Sequence, residues 1–130
     1  MQLNVTTDYA VRIVLYLASK NDIASSSEIA REMGIPQTYI LKLTKVLKEA
    51  GILGEKCGAG GGFVLKKDPE QITLLTVVGL FEKTLYINRC LEEDQFCSRD
   101  AVAYCKVREL LSEIQTDLGR RLDVKITEFL

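Results

Sequence analysis

Residues 25–67 carry the pattern that leaves this chain least freedom. Two helical segments separated by the four residues "MGIP" lead directly into two short apolar runs around a glycine-rich turn. In "SSSEIAREMG" a serine caps a helix, Glu28 sits in its first turn and Gly34 stops it. In "IPQTYILKLTKVLKEAG" Pro36 suits the first helical position, Ile40, Leu43 and Leu47 recur on one side, and Gly51 ends the run. The following "ILGEKCGAGGGFVLKK" reads as a β-hairpin. A helix-turn-helix followed at once by a hairpin is the layout of a winged nucleic-acid-binding module. The expected fold class is therefore mostly α with a small β-hairpin wing: a winged helix-turn-helix followed by a long C-terminal dimerisation helix.

The side of the second helix away from its apolar stripe carries Gln37, Thr38, Leu41, Lys42, Lys45 and Lys48. Gln37, Thr38 and Lys42 can reach base edges in a major groove, and the lysines can neutralise phosphates. A solvated helix face is the other account of such lysines. The glycine run lacks the pattern G-x-x-x-x-G-K-[ST] and opens no helix, so it is not a P-loop. A wing tip lying against a DNA backbone, with Lys56, Gly60 and Gly61 in it, explains the glycines better, because glycine permits close approach.

On either side, residues 7–20 read as a helix capped by Thr6 or Thr7, with Asp8 near its positive end, and 72–85 as an apolar, buried helix. Residues 104–122 form a strongly helical run in which Val107, Leu111, Ile114, Leu118 and Leu122 mark one stripe with Leu110 at its edge. A chain of 130 residues has little protein left for that seam to pack against, so a second copy is the natural partner and an intramolecular core helix the alternative. The tail closes with Ile126, Phe129 and Leu130, a short apolar hook suited to clasping a partner helix.

Charge divides in the same place. Residues 1–67 carry nine Lys/Arg against six Asp/Glu, and 68–130 carry eight against twelve. A mildly basic front half and an acidic back half imply two jobs: a DNA-binding module over 1–67, and a cysteine-bearing sensor segment with dimerisation helix over 68–130. No apolar run is long enough for a membrane span, and the N-terminus lacks the features of a signal peptide, so a cytoplasmic protein without a membrane partner is expected. The chain has no histidine and no nucleophile–base pair, so no enzyme is expected. In a reducing compartment Cys57, Cys90, Cys97 and Cys105 are ligands, redox sensors or core residues rather than disulfides.

Several stretches in this order, "TTDYAVRIVLYLA", "IAREMGIPQTYILKLTKVLKEAGIL", "GAGGGFVL", "ITLLTVVGLFE" and "LDVKIT", resemble the winged-helix bacterial transcription regulators that include IscR, NsrR and CymR. The resemblance runs essentially end to end. It implies a homodimeric, sequence-specific regulator, most simply a repressor, on a palindromic operator in double-stranded DNA. Each recognition helix would enter a major groove and each wing an adjacent minor groove. By position, Thr38, Tyr39 and Lys42 would touch groove or phosphate, and Ser27 would lie near the backbone. Many members carry an arginine just before the wing glycines. Here that place is Cys57, with Lys56 beside it, and lysine lacks the planar fork of arginine.

Cluster-binding members of the family use three cysteines between the buried helix and the long helix, where Cys90, Cys97 and Cys105 lie. The resemblance thus implies an iron–sulfur cluster, 4Fe–4S ahead of 2Fe–2S, that reports iron–sulfur status, redox state or nitric oxide. IscR-like members add a histidine, whose place Arg108 takes here. NsrR-like members add an aspartate from the other subunit, and Asp8 occupies that place. The implied ligand set is Cys90, Cys97 and Cys105 with the partner's Asp8. The alternatives are a same-family regulator without a cluster, working by thiol oxidation or a partner protein as CymR-like members do, a zinc site, and a small metal or electron-transfer protein. Were residues 97–105 helical, eight residues at about 1.5 Å each would separate the thiols of Cys97 and Cys105 by about 12 Å. "SRDAVAY" should therefore be looped around a cluster, and release of the cluster would let the long helix grow backwards, with Ser98 as its cap.

Overall fold

The computed structural model describes residues 1–130. Helix α1 spans Val5–Lys20, α2 Ser26–Met33 and α3 Gln37–Glu49. Strands β1, Leu53–Lys56, and β2, Gly62–Leu65, follow, then α4, Leu74–Phe81, and α5, Lys106–Leu122. Single 3₁₀ turns at Pro69–Gln71, Arg89–Leu91 and Ile126–Phe129 complete the chain. The expected mostly helical winged fold with a long late helix is what forms. No helix is long and apolar enough to cross a membrane.

Local chemistry explains most boundaries. Ser25 Oγ accepts the Glu28 N–H at 3.1 Å to start α2, and Gly34, at φ +63°, takes the left-handed turn that ends it. Pro36 is the N-cap of α3 rather than its first residue. Helix α1 starts earlier than expected: Asn4, not Thr6 or Thr7, is its cap, accepting the Thr6 N–H at 3.0 Å. Thr7 is buried, and its hydroxyl donates sideways to Glu82 Oε1 at 2.7 Å. That carboxylate also takes the Asn4 N–H at 2.6 Å. Helix α4 is correspondingly shorter than residues 72–85, because Glu82 leaves the helix with extended backbone to bind the start of α1.

In the wing, β1 and β2 pair antiparallel with Leu53 opposite Leu65 and Lys56 opposite Gly62. Ala24 adds a bridge to Phe63, its N–H donating at 2.9 Å and its carbonyl accepting at 2.8 Å. Gly62 is required there, since a Cβ would stand 2.2 Å from the Ala24 carbonyl oxygen. Lys48 closes the other side, ion-paired with Glu55 and lying 5.8 Å over the Phe63 ring. It therefore braces the wing against α3 instead of standing free on the outer face.

One core of sixteen buried residues joins Ile13, Leu17, Ile29, Ile40, Leu43 and Leu47 of the three helices to Phe63 of the wing and to Ile72, Val77 and Ile126. Each such fully buried aliphatic side chain contributes about 1.5–3 kcal/mol. The C-terminal tail is part of this core: Ile126 N–H donates to the Ile72 carbonyl at 2.9 Å and Leu74 N–H to Val124 at 2.9 Å. Of the expected hook, Ile126 is therefore spent on its own chain, and only Phe129 and Leu130 remain exposed.

Helix α5 buries no residue. Val107, Leu110, Ile114 and Leu118 face outward, while Leu111 and Leu122 turn half-buried toward the chain. Gln115 holds the helix to the preceding segment, accepting the Ile87 N–H at 2.7 Å and donating to the Leu85 carbonyl at 2.8 Å. Beside the seam, a groove of about 410 Å3 opens between α4, α5 and the N-terminus, lined by Leu3, Leu75, Val78, Leu85, Leu118 and Leu122 among others.

Candidate functional site

Helix α3 divides its residues by face. Ile40, Leu43, Thr44 and Leu47 are buried, and Gln37, Thr38, Leu41, Lys42 and Lys45 are exposed. The Thr44 hydroxyl donates to the Ile40 carbonyl at 2.7 Å and so needs no outside partner. Lys42 and Lys45 form no ion pair within the chain, which leaves their charges to water or to an external anion. Gln37 Nε2 donates to Ser26 Oγ at 3.1 Å, tying the starts of α2 and α3 beside the exposed Ser27. Tyr39 differs from its neighbours: it is half-buried, its ring edge-on to Tyr9 at 5.3 Å. Lys56, Cys57 and Gly60 are exposed at the wing end, and Gly61 closes the turn by donating to the Gly58 carbonyl at 3.0 Å. The chain thus exposes unpaired lysines on a helix and a glycine-rich hairpin tip.

The cysteine segment, residues 89–105, lies between α4 and α5 with Cys90, Cys97 and Cys105 all half-buried and unpaired. Two of the sulfurs accept hydrogen bonds. Asn88 Nδ2 donates to Cys90 Sγ at 3.2 Å, and Arg108 N–H to Cys105 Sγ at 3.4 Å. Backbone N–H groups of Ala101 and Arg99 point at Cys97, and with the Arg99 charge nearby they hold its thiol below the usual range. Arg89 braces the loop between the first two cysteines, pairing with Asp94 and Glu92 and stacking 5.3 Å over Phe96. Arg108 Nε donates to the Cys90 carbonyl at 3.3 Å, so it is a brace as well.

Residues 97–105 are turned, not helical: Asp100 N–H returns to the Cys97 carbonyl at 3.0 Å and Tyr104 N–H to Ala101 at 3.1 Å. Asp100 sits at φ +53°, a left-handed conformation that a continuous helix does not contain. The cap of α5 is Cys105, not Ser98.

Three thiols on one short segment are the donor type that iron–sulfur clusters take, and the sulfurs of Cys90 and Cys105 already accept N–H bonds. No three Cys, Asp or Glu side chains of one chain stand together closely enough to hold one metal, so neither zinc nor a cluster finds its donors already gathered within a single chain. Asp8 lies apart on α1, half-exposed, its Oδ2 accepting from Arg12 Nη2 at 2.6 Å. Arg12 in turn donates to the Met33 carbonyl at 3.1 Å and lies 5.3 Å over the Tyr9 ring. The Asp8–Arg12 spacing of four was legible as a helical pair; nothing in the sequence flagged Asn88 or Glu82.

The family profile described as "Rrf2: Iron-dependent Transcriptional regulator" matches residues 3–127. An HTH-type transcriptional regulator NsrR from Halalkalibacterium halodurans is 32% identical over 126 residues, covering 95% of this chain and 85% of that protein. Protein rrf2 of Nitratidesulfovibrio vulgaris is 32% identical over 125 residues, covering 95% and 82%. Among solved structures, CymR, the global cysteine regulator of B. subtilis, superposes with a TM-score of 0.81 at 23% identity, over 99% of this chain and 95% of that one. IscR of T. potens does so with a TM-score of 0.77 at 19% identity, over 99% and 85%. Those two likenesses speak for the winged fold, and the end-to-end profile match with the sequence relatives decides the family: the chain belongs to the Rrf2 family of DNA-binding transcriptional regulators, which are not enzymes.

Proposed function

We propose that this protein is a homodimeric cytoplasmic repressor that reads a palindromic operator with α3 and the wing and senses iron–sulfur, redox or nitric oxide status through Cys90, Cys97 and Cys105. The observation that carries the sensing half is the trio of half-buried thiols on one short segment, with the Cys90 and Cys105 sulfurs accepting N–H bonds. Asp8 from the partner subunit, the place where the resemblance to NsrR-like members puts a fourth ligand, completes the donor set, while the IscR-like place is held by Arg108, a cation engaged with Cys90. A bound cluster, 4Fe–4S ahead of 2Fe–2S, would supply iron that small diatomic ligands attack.

What the chain itself contributes is coupling. A second subunit that takes Asp8 competes with or shares its bond to Arg12, and Arg12 holds both the α2–α3 turn at Met33 and the Tyr9 ring that supports Tyr39 on the recognition helix. The DNA half rests on Thr38, Lys42 and Lys45, with Ser27, Gln37, Lys56, Gly60 and Gly61 around them. The test is an anaerobic absorbance spectrum with iron and sulfide counts on wild type and Asp8→Ala. A brown wild type whose spectrum changes in the variant supports the reading; a colourless wild type after anaerobic reconstitution rejects the cluster.

The lowered Cys97 thiol favours one competing reading, a cluster-free regulator that responds to thiol oxidation. Colourless protein whose operator binding is lost on oxidation and restored by a thiol reductant would establish it.

A further inference from the structure

Leu41 is the one large apolar side chain exposed on α3, with 67% of its surface in water, while Ile40, Leu43 and Leu47 of the same two turns are buried. It makes no contribution to the core. Its neighbours on the helix surface are Thr38 three residues before it and Lys45 four after, with Lys42 adjacent, all exposed. An apolar protein or lipid surface is a poor match for this position, since two unpaired lysines would be desolvated beside it. A DNA major groove suits both. Its phosphates take the lysines, and its floor offers one apolar group, the C5-methyl of thymine.

We propose that Leu41 is a specificity-determining residue that packs on a thymine methyl in each operator half-site. This rests on α3 being the recognition helix, and it adds which base that helix selects at one position and why. The contact is a dry apolar one between two lysine–phosphate contacts, so it carries sequence information while the lysines carry affinity.

Operator duplexes enriched from a random-sequence pool by the full-length wild-type protein supply the probe. Each thymine is replaced in turn by deoxyuridine, which lacks only the methyl, and binding is measured by fluorescence anisotropy. The wild type is expected to lose about fourfold in affinity at one thymine per half-site, and about fifteenfold when both are replaced. Leu41→Ala is expected to bind the parent duplex more weakly and to be indifferent to uracil there, and Leu41→Met to regain most of the sensitivity. Equal circular dichroism of the variants and wild type checks the fold, as an exposed side chain predicts. A flat uracil scan for wild type, or an undiminished loss in Leu41→Ala, overturns the proposal. Lys42→Ala separates the two levels: if it weakens binding and its salt dependence while the scan stays flat, only the Leu41 assignment fails. If it changes neither, α3 is not the recognition helix and the parent reading fails with it.

Discussion

Asp8 has one carboxylate and two prospective engagements, the Arg12 guanidinium of its own helix and, in the proposed assembly, a partner's cysteine site. The observed pair is solvent-exposed, so Asp8→Ala should cost about 0.5 kcal/mol or less of folding stability. Arg12→Ala should cost more, roughly 1–2 kcal/mol, because it also removes the bond to Met33 and the stacking on Tyr9. Urea unfolding of both variants gives the comparison, and equal losses would mean Arg12 has no bracing role. Cys97 offers a second check at this scale. The Ala101 and Arg99 N–H groups favour its thiolate, so alkylation by iodoacetamide should reach its half-rate at a pH below the ordinary 9.0. Mass spectrometry of the labelled peptide across pH reads this out, and a half-rate at or above 9.0 would contradict the geometry.

Wing and sensor segment are held by opposite means. The wing is a steric fit: Gly62 lies against the Ala24 carbonyl with no room for a Cβ, and Lys48 pins Glu55 from the helix side. Gly62→Ala should therefore cost about 2 kcal/mol or more and release the Ala24–Phe63 bridge, seen as faster exchange of those amides. The segment from Cys97 to Cys105 is instead a poised one. It holds a left-handed Asp100 and ends on a sulfur cap, while its residues favour helix otherwise. If release of a cluster lets α5 grow through it, cluster-free protein will show more helix by circular dichroism than the reconstituted form, and identical spectra would remove the helix-growth switch.

At the scale of the molecule, the outward seam of α5 and the groove beside it remain without an intramolecular partner. Burying Val107, Leu110, Ile114 and Leu118 against a second copy is the response open to such a surface. Ile114 is 43% exposed in the single chain, so Ile114→Glu should leave the fold intact. It should convert a dimer into a monomer in sedimentation velocity and weaken operator binding at least tenfold, because one recognition helix then binds without its mate. An Ile114→Glu protein that sediments as wild type would place the dimer contact elsewhere.

Periodicity, caps and turn residues determined the winged helix-turn-helix, the long late helix and the place of the three thiols, because each is written in residues close together in the chain. Ser25, Gly34 and the glycines at 58–62 act on their immediate neighbours, and α2, α3 and the wing are where those local rules put them. Tertiary structure decided what depends on a distant partner. Thr7 became a buried donor and Asn4 the cap because Glu82 arrives from more than seventy residues away. Lys48 left the outer face for Glu55, Ile126 joined its own core, and Arg12 found Met33. Hydrogen-bond partners and burial follow from packing in three dimensions, and a one-dimensional pattern carries no information about which surfaces meet.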